Sequence, residues 1–115
     1  MVVLADDLIW ASRLADAITA AGATPLRARR TDTFAEVIAG DTRPLRAIVD
    51  LTARAYDGIE AIRVATGAGA RVVAVGQHDD VPLRRAALEA GAERVFTYRA
   101  LFESGARLLA EWLAR

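Results

Sequence analysis

Three aspartates are the residues best placed by type and spacing to do chemistry. Asp6 and Asp7 follow the short apolar run Val2–Ala5, and Asp50 follows Leu45-Arg46-Ala47-Ile48-Val49. If the two runs are neighbouring parallel strands, all three carboxylates stand at one end of a sheet. Their mutual repulsion then favours a bound cation. Oxygen-only ligands suit Mg²⁺, which keeps several waters and takes one or two carboxylates. A purely structural reading competes with this one. Aspartate at a strand end is a common helix N-cap, so Asp6 or Asp7 alone would simply cap a helix starting near Leu8. The pairing, and the third aspartate at a second strand end, tip the balance toward a cation site.

The elements that must position these residues alternate along the chain. Val2–Ala5, Leu45–Val49, Arg71–Val75 and Arg94–Thr97 are short, rich in valine and isoleucine, and read as buried strands. Thr24–Arg29 is the weakest strand, because Pro25 confines it to a strand start or an edge. Between the strands lie helical spacings. Trp10, Leu14, Ile18 and Ala21 form the first, closed by Gly22. Thr31 or Asp32 would cap a second helix carrying Phe34, Val37 and Ile38. A third starts at Asp57 or Gly58 and buries Ile59, Ile62 and Val64 or Ala65. A fourth opens with Asp79-Asp80-Val81-Pro82 and carries Leu83, Ala86, Ala87 and Leu88. The last runs from about Leu101, with Phe102, Leu108, Leu109, Trp112 and Leu113; Gly105, costing about 1 kcal/mol in a helix interior, allows a later start. Strict alternation predicts a three-layer α/β domain, a flavodoxin-like (βα)5 doubly wound parallel sheet with strand order 2-1-3-4-5. That order puts the proline-marked strand at an edge. It also puts Asp6, Asp7 and Asp50 at the switch point, where such sheets bind ligands.

Composition narrows the possibilities. The 115 residues suit one domain spanning 1–115, and no output domain is expected. There is no cysteine, which excludes disulfides and thiolate metal sites. Acidic and basic residues balance at 15 each, so no direct nucleic-acid binding is expected, and Arg27, Arg29 and Arg30 read as a solvated strand end. No secretory signal or membrane-length apolar run is visible, and the expected location is cytoplasmic. All basic residues are arginine; lysine is absent. There is no glycine-rich dinucleotide or phosphate loop and no nucleophile elbow, and His78 is the only histidine.

In combination, these motifs resemble the receiver domains of two-component response regulators (CheY-like), over essentially the whole chain. Asp6-Asp7 matches the family's acidic pair, Asp50 its phosphoacceptor, and Asp57-Gly58 the Asp-Gly seven and eight residues later. Arg71–Asp80 resembles the fourth strand and its loop, and Gly91-Ala92-Glu93-Arg94-Val95-Phe96 the approach to the fifth. The resemblance implies a signal-transduction protein of a phosphorelay rather than an enzyme. Asp50 would take a phosphoryl group from a phosphohistidine, while Asp6, Asp7 and Asp50 hold Mg²⁺. It also implies protein partners, a histidine kinase or another signalling protein, and a homodimer through the helix 4–strand 5–helix 5 face. Phe102, Leu109 and Trp112 could serve that face, though an amphipathic core explains them better.

The pattern breaks at two switch positions. Gly76 stands where the family has a threonine or serine, so no side-chain hydroxyl is present. Tyr98 stands where it has a lysine. Arg99 is adjacent, but its guanidinium is no equivalent of an ammonium, and neighbouring side chains on a strand diverge. Arg54 replaces a frequent proline. The favoured expectation is a stand-alone receiver-like protein with an acceptor aspartate and degenerate switching. The alternative is a phosphorylation-independent pseudo-receiver acting as a protein-interaction module. An independent Mg²⁺-dependent phosphatase ranks last, lacking supporting basic residues.

Overall fold

The computed structural model describes residues 1–40 and 45–115. Its elements run β1 (Val2–Leu4), α1 (Leu8–Ala20), β2 (Leu26–Ala28), α2 (Thr31–Ala39), β3 (Arg46–Asp50), α3 (Gly58–Gly67), β4 (Arg71–Gly76), α4 (Val81–Ala90), β5 (Arg94–Thr97) and α5 (Tyr98–Leu113). The strands form one parallel sheet in the order β2-β1-β3-β4-β5, the flavodoxin-like order. β2 is the edge, as Pro25 requires, with Leu26 and Arg27 exposed.

Side chains alternate across the sheet and divide the core into two layers. Val2, Leu4, Val49, Val72 and Ala74 pack with Phe34, Ile38, Ile62 and Ala87 from α2, α3 and α4. Val3, Ile48, Val73, Val75 and Phe96 pack with Leu14, Ile18, Leu109 and Trp112 from α1 and α5. Strands buried on both faces explain why their sequences are near-continuous apolar runs. Register sets the site: Leu4 lies opposite Val49, and Asp50 opposite Val75. The residues after Leu4 therefore emerge beside the end of β3.

Local chemistry starts most helices as expected. Asp57 caps α3 by accepting from the Ile59 and Glu60 amides at 3.0 and 3.2 Å. Asp80 caps α4 at the Leu83 amide, with Pro82 in the first turn. Some expectations need correction. Thr31 is the first helical residue of α2, and the cap position belongs to Arg30, which makes no side-chain cap bond. Leu88 faces outward at 46% exposure rather than into the core. α5 begins at Tyr98, three residues before the expected Leu101, because the Thr97 hydroxyl accepts from the Ala100 amide and starts the helix directly off β5. The helix contains a kink at Ser104 (φ −142°, ψ 26°). Gly105 sits buried inside α5; a Cβ there would lie 3.2 Å from the Cβ of Ala17, so this glycine permits close approach of α1 and α5. Among the described residues, no helix is long and apolar enough to cross a membrane.

At the amino-terminal ends of β4 and β5, Arg71 makes a bidentate pair with Glu93, both bonds 2.9 Å. Its guanidinium also donates to the Arg115 carbonyl and lies over the Trp112 ring, 4.9 Å from the centroid. The Trp112 indole in turn donates to Glu93 at 3.3 Å. The hydrogen bonds from Arg71 hold the Glu93 carboxyl below the usual carboxylate range. A carboxylate whose folded-state pKa is depressed stabilises the fold above its unfolded pKa and loses that contribution as pH falls through the folded value. Glu93→Gln should therefore lower the unfolding midpoint at pH 7, with the gap to wild type closing as the pH is brought down below the carboxylate range. Thermal melts of both proteins across pH check this; a gap that does not shrink in acid contradicts it.

Candidate functional site

Asp50 ends β3 with its carboxylate aimed past the carboxyl edge of the sheet, yet only 2% of the residue is exposed. A buried carboxylate needs hydrogen bonds. The chain supplies them from the residue two places on and from the start of the last helix. The Thr52 amide and hydroxyl both lie 3.1 Å from Asp50 Oδ1. The Tyr98 hydroxyl donates to the same oxygen and also touches the Thr52 hydroxyl. Tyr98 reaches it because β5 and α5 join without a loop at Thr97–Tyr98, beside the end of β4. Its ring is held against Trp10 of α1, centroids 4.6 Å apart and planes tilted by 49°. Burial, and then the hydrogen bond to Asp50, push the Tyr98 phenol well above its ordinary pKa. It is a neutral donor at physiological pH.

A second tyrosine fixes the backbone beneath the site. The Tyr56 hydroxyl lies 2.6 Å from the Asp50 carbonyl and 2.9 Å from the Leu4 carbonyl. It joins the ends of the two strands that flank the switch point. Burial raises its pKa first, and the charges of Asp50 and Asp6 add to that.

The acidic pair divides its work. Asp6 Oδ2 accepts from the Arg54 and Ala55 amides at 2.9 and 3.0 Å, tying the β3–α3 loop to the end of β1. Asp7 Oδ1 accepts from the Trp10 amide at 3.0 Å and caps α1, as the structural reading anticipated. Asp6, Asp7 and Asp50 do line one open cleft of about 400 Å³, walled by Trp10, Gln77 and Tyr98. They do not form a ready three-carboxylate group: among the described residues, no three acidic or histidine side chains converge on a common metal position. Each carboxylate has one oxygen engaged by the protein. The donor set fits Mg²⁺ held by one or two carboxylates with water filling the rest of its shell, and not an all-protein cage.

The remaining candidates sort plainly. Gly76 ends β4, buried, and a Cβ there would meet the Leu51 side chain at 3.3 Å. Leu51 thus fills the space beside Gly76. Arg99 does not stand in for lysine; its side chain is 86% exposed and pairs with Glu103 at 3.0 Å. His78 is exposed. Leu109 and Trp112 are fully buried and belong to the core, not to a docking face. Phe102 is 65% exposed but lies under the Arg13 guanidinium of α1, 4.5 Å from its ring centroid.

Thr52, Tyr56 and Trp10 are the site residues that motif spacing missed. A usable signal was present for the first two. A strand-ending aspartate in a parallel sheet is nearly buried and must recruit donors, and Thr52 and Tyr56 are the hydroxyl residues between Asp50 and the next helix. For Trp10, the 3.6-residue pattern signalled a buried face but not a partner 88 positions away.

No protein-family model and no curated protein matches the chain. Solved structures do match it almost end to end. The signal receiver domain of the response regulator NarL from Mycobacterium tuberculosis superposes with a TM-score of 0.80 at 18% identity, covering 98% of this chain and 94% of that one. A Burkholderia pseudomallei response regulator, with a phosphorylated aspartic acid, calcium ion and citrate, gives 0.76 at 17%, covering 98% of this chain and 69% of that one. Brucella abortus NtrX gives 0.77 at 17%; 99% of this chain is covered, but it spans only 27% of the NtrX chain. At such identities the likeness is one of fold, and the fold is that of response-regulator receiver domains.

Tyr56→Phe should destabilise the protein by about 1–2 kcal/mol, since it leaves two inward carbonyls without their shared donor. Urea unfolding followed by circular dichroism measures this, and an unchanged midpoint would show that water replaces the phenol without loss.

Proposed function

We propose that the protein is a receiver-type signal-transduction domain in which Asp50 is the phosphoacceptor and the usual conformational switch is disabled. The observation that carries this reading is the gathering of Asp6, Asp7 and Asp50 around one cleft at the switch point of a receiver fold. The donor would be a phosphohistidine on a kinase or another signalling protein. An Asp50 oxygen attacks phosphorus, the phosphorus–nitrogen bond breaks, and the departing imidazole nitrogen takes a proton. Because Oδ1 already accepts three hydrogen bonds, Oδ2 is the oxygen left to attack. Mg²⁺, held by Asp6, Asp7 and Asp50 with water, would neutralise charge on the phosphoryl oxygens. Thr52 and Tyr56 keep the strand end and its carboxylate in place. Gly76 offers no hydroxyl, and Tyr98 supplies a hydrogen bond but no positive charge. Output then runs through protein contacts, including self-association through the α4–β5–α5 face.

A second reading, a phosphorylation-independent interaction module, has its own support: the burial of Asp50 under two hydroxyls suits a structural carboxylate as well as a reactive one.

Incubation with acetyl phosphate, with and without Mg²⁺, followed by intact-mass measurement, separates the two. The acceptor reading expects a gain of one phosphoryl group that requires Mg²⁺ and is lost in Asp50→Asn. Absence of any gain at high Mg²⁺ supports the interaction module. For the module, Asp50→Asn should bind partners as wild type does. Mg²⁺ binding should also change the emission of Trp10, which walls the cleft, whereas Trp112 is buried at the other end of the sheet and should not respond. A flat titration at millimolar Mg²⁺ would remove the metal from the reading.

A further inference from the structure

The feature that a receiver-type acceptor does not by itself explain is the contact between Tyr98 and Asp50. We infer that Tyr98 is a latch on Asp50, held closed by Trp10, that slows phosphoryl acceptance; this rests on the reading of Asp50 as the acceptor.

Four observations support it. The Tyr98 hydroxyl donates to Asp50 Oδ1, the oxygen that Thr52 also engages. Hydrogen bonds to a charged carboxylate are stronger than those to its neutral ester or mixed anhydride. Phosphorylation of Asp50 turns that carboxylate into the acyl group of an acyl phosphate and removes its charge, so the contact favours the free form and must be weakened before the new bond is complete. The phenol also lacks the one property that would compensate. An ammonium at this position could leave Asp50 and pair with the arriving phosphoryl oxygens. A neutral phenol gains far less from that exchange. Third, the ring forms one wall of the cleft through which a donor must come. Fourth, the ring cannot simply swing out. Trp10 lies against it at 4.6 Å, and the Trp10 amide is fixed by the Asp7 cap. On the outer side of Trp10, the Arg13 guanidinium stands 5.6 Å from its ring centroid and 4.5 Å from that of Phe102. Trp10 is therefore a positioning residue that acts through Tyr98.

The test is the rate of Mg²⁺-dependent mass gain from acetyl phosphate in four folded proteins: wild type, Tyr98→Phe, Trp10→Leu and the double variant. Tyr98→Phe keeps the ring and removes only the donor. It should accelerate acceptance roughly tenfold, the factor that corresponds to one hydrogen bond to a charged group. Trp10→Leu leaves the donor in place but loosens the ring, and should accelerate by less. The double variant should be no faster than Tyr98→Phe, because both changes open the same contact. Phosphorylation of Tyr98→Phe at the wild-type rate, with wild type measurably modified, overturns the latch and leaves Asp50 as acceptor. A double variant faster by the product of the two single effects overturns the coupling through Tyr98. No mass gain in any of the four overturns the acceptor reading and the latch with it. Circular dichroism and thermal melts establish folding; should Tyr98→Phe not fold, Tyr98→Leu is read by the same criteria.

Discussion

A carboxylate taken almost wholly out of water at the end of a central strand sets the terms for everything around it. Asp50 follows Val49 into the carboxyl edge of the sheet with 2% of its surface exposed. A charge in that position is tolerated only where the protein replaces the lost water with donors. Thr52 and Tyr98 supply them to the side chain, and Tyr56 secures the carbonyl of the same residue. These three residues come from a turn, a helix start and a loop. Each is held by something further out: Tyr98 by the direct join of β5 to α5 and by Trp10, Tyr56 by its place just before the Asp57 cap of α3. The geometry of the switch point thus follows from the need to solvate one buried aspartate from within.

Much of the fold was legible in the chain for the same physical reason. Strands buried on both faces must be apolar throughout, so Val2–Ala5, Leu45–Val49 and Arg71–Val75 stood out, and right-handed crossovers then left little freedom in their order. Pro25 marked the edge strand, and Asp57 and Asp80 marked helix starts. The acidic trio was legible too, because its placement depends only on strand ends and order. Contacts across the fold were not. Whether Tyr98 points at Asp50 or packs on the sheet depends on the length of the β5–α5 join, which the spacing of Leu101 and Leu108 suggested was longer than it is. The α5 kink at Ser104 was hidden likewise, since Gly105 reads as a weak helix residue until Ala17 is found against it.

The opposite end of the sheet is organised on a contrasting principle. Arg71, Glu93 and Trp112 combine a bidentate ion pair, an indole hydrogen bond and a cation over a ring at a half-exposed surface. Their charges are balanced within the cluster, and their removal would alter stability without touching the cleft. The three carboxylates of the cleft, in contrast, receive only neutral donors among the described residues: backbone amides, one threonine and one tyrosine. Charge is thus compensated at one end of the strands and uncompensated at the other.

That imbalance follows from which side chains border the cleft. With lysine absent and Arg99 turned away to Glu103, no cationic side chain is bonded to Asp6, Asp7 or Asp50 among the described residues. Any anion entering this cleft would meet repulsion that bulk water screens less than at an open surface. A cationic side chain bonded to one of the carboxylates would cancel part of that repulsion from within. Here the whole of it falls on a cation from outside the chain. Tyr98 gives the Asp50 carboxylate a neutral donor and brings no positive charge to the cleft. Tyr98, more than Gly76, therefore sets the character of this pocket, because its hydroxyl is bonded to Asp50 while Gly76 has no side chain to offer.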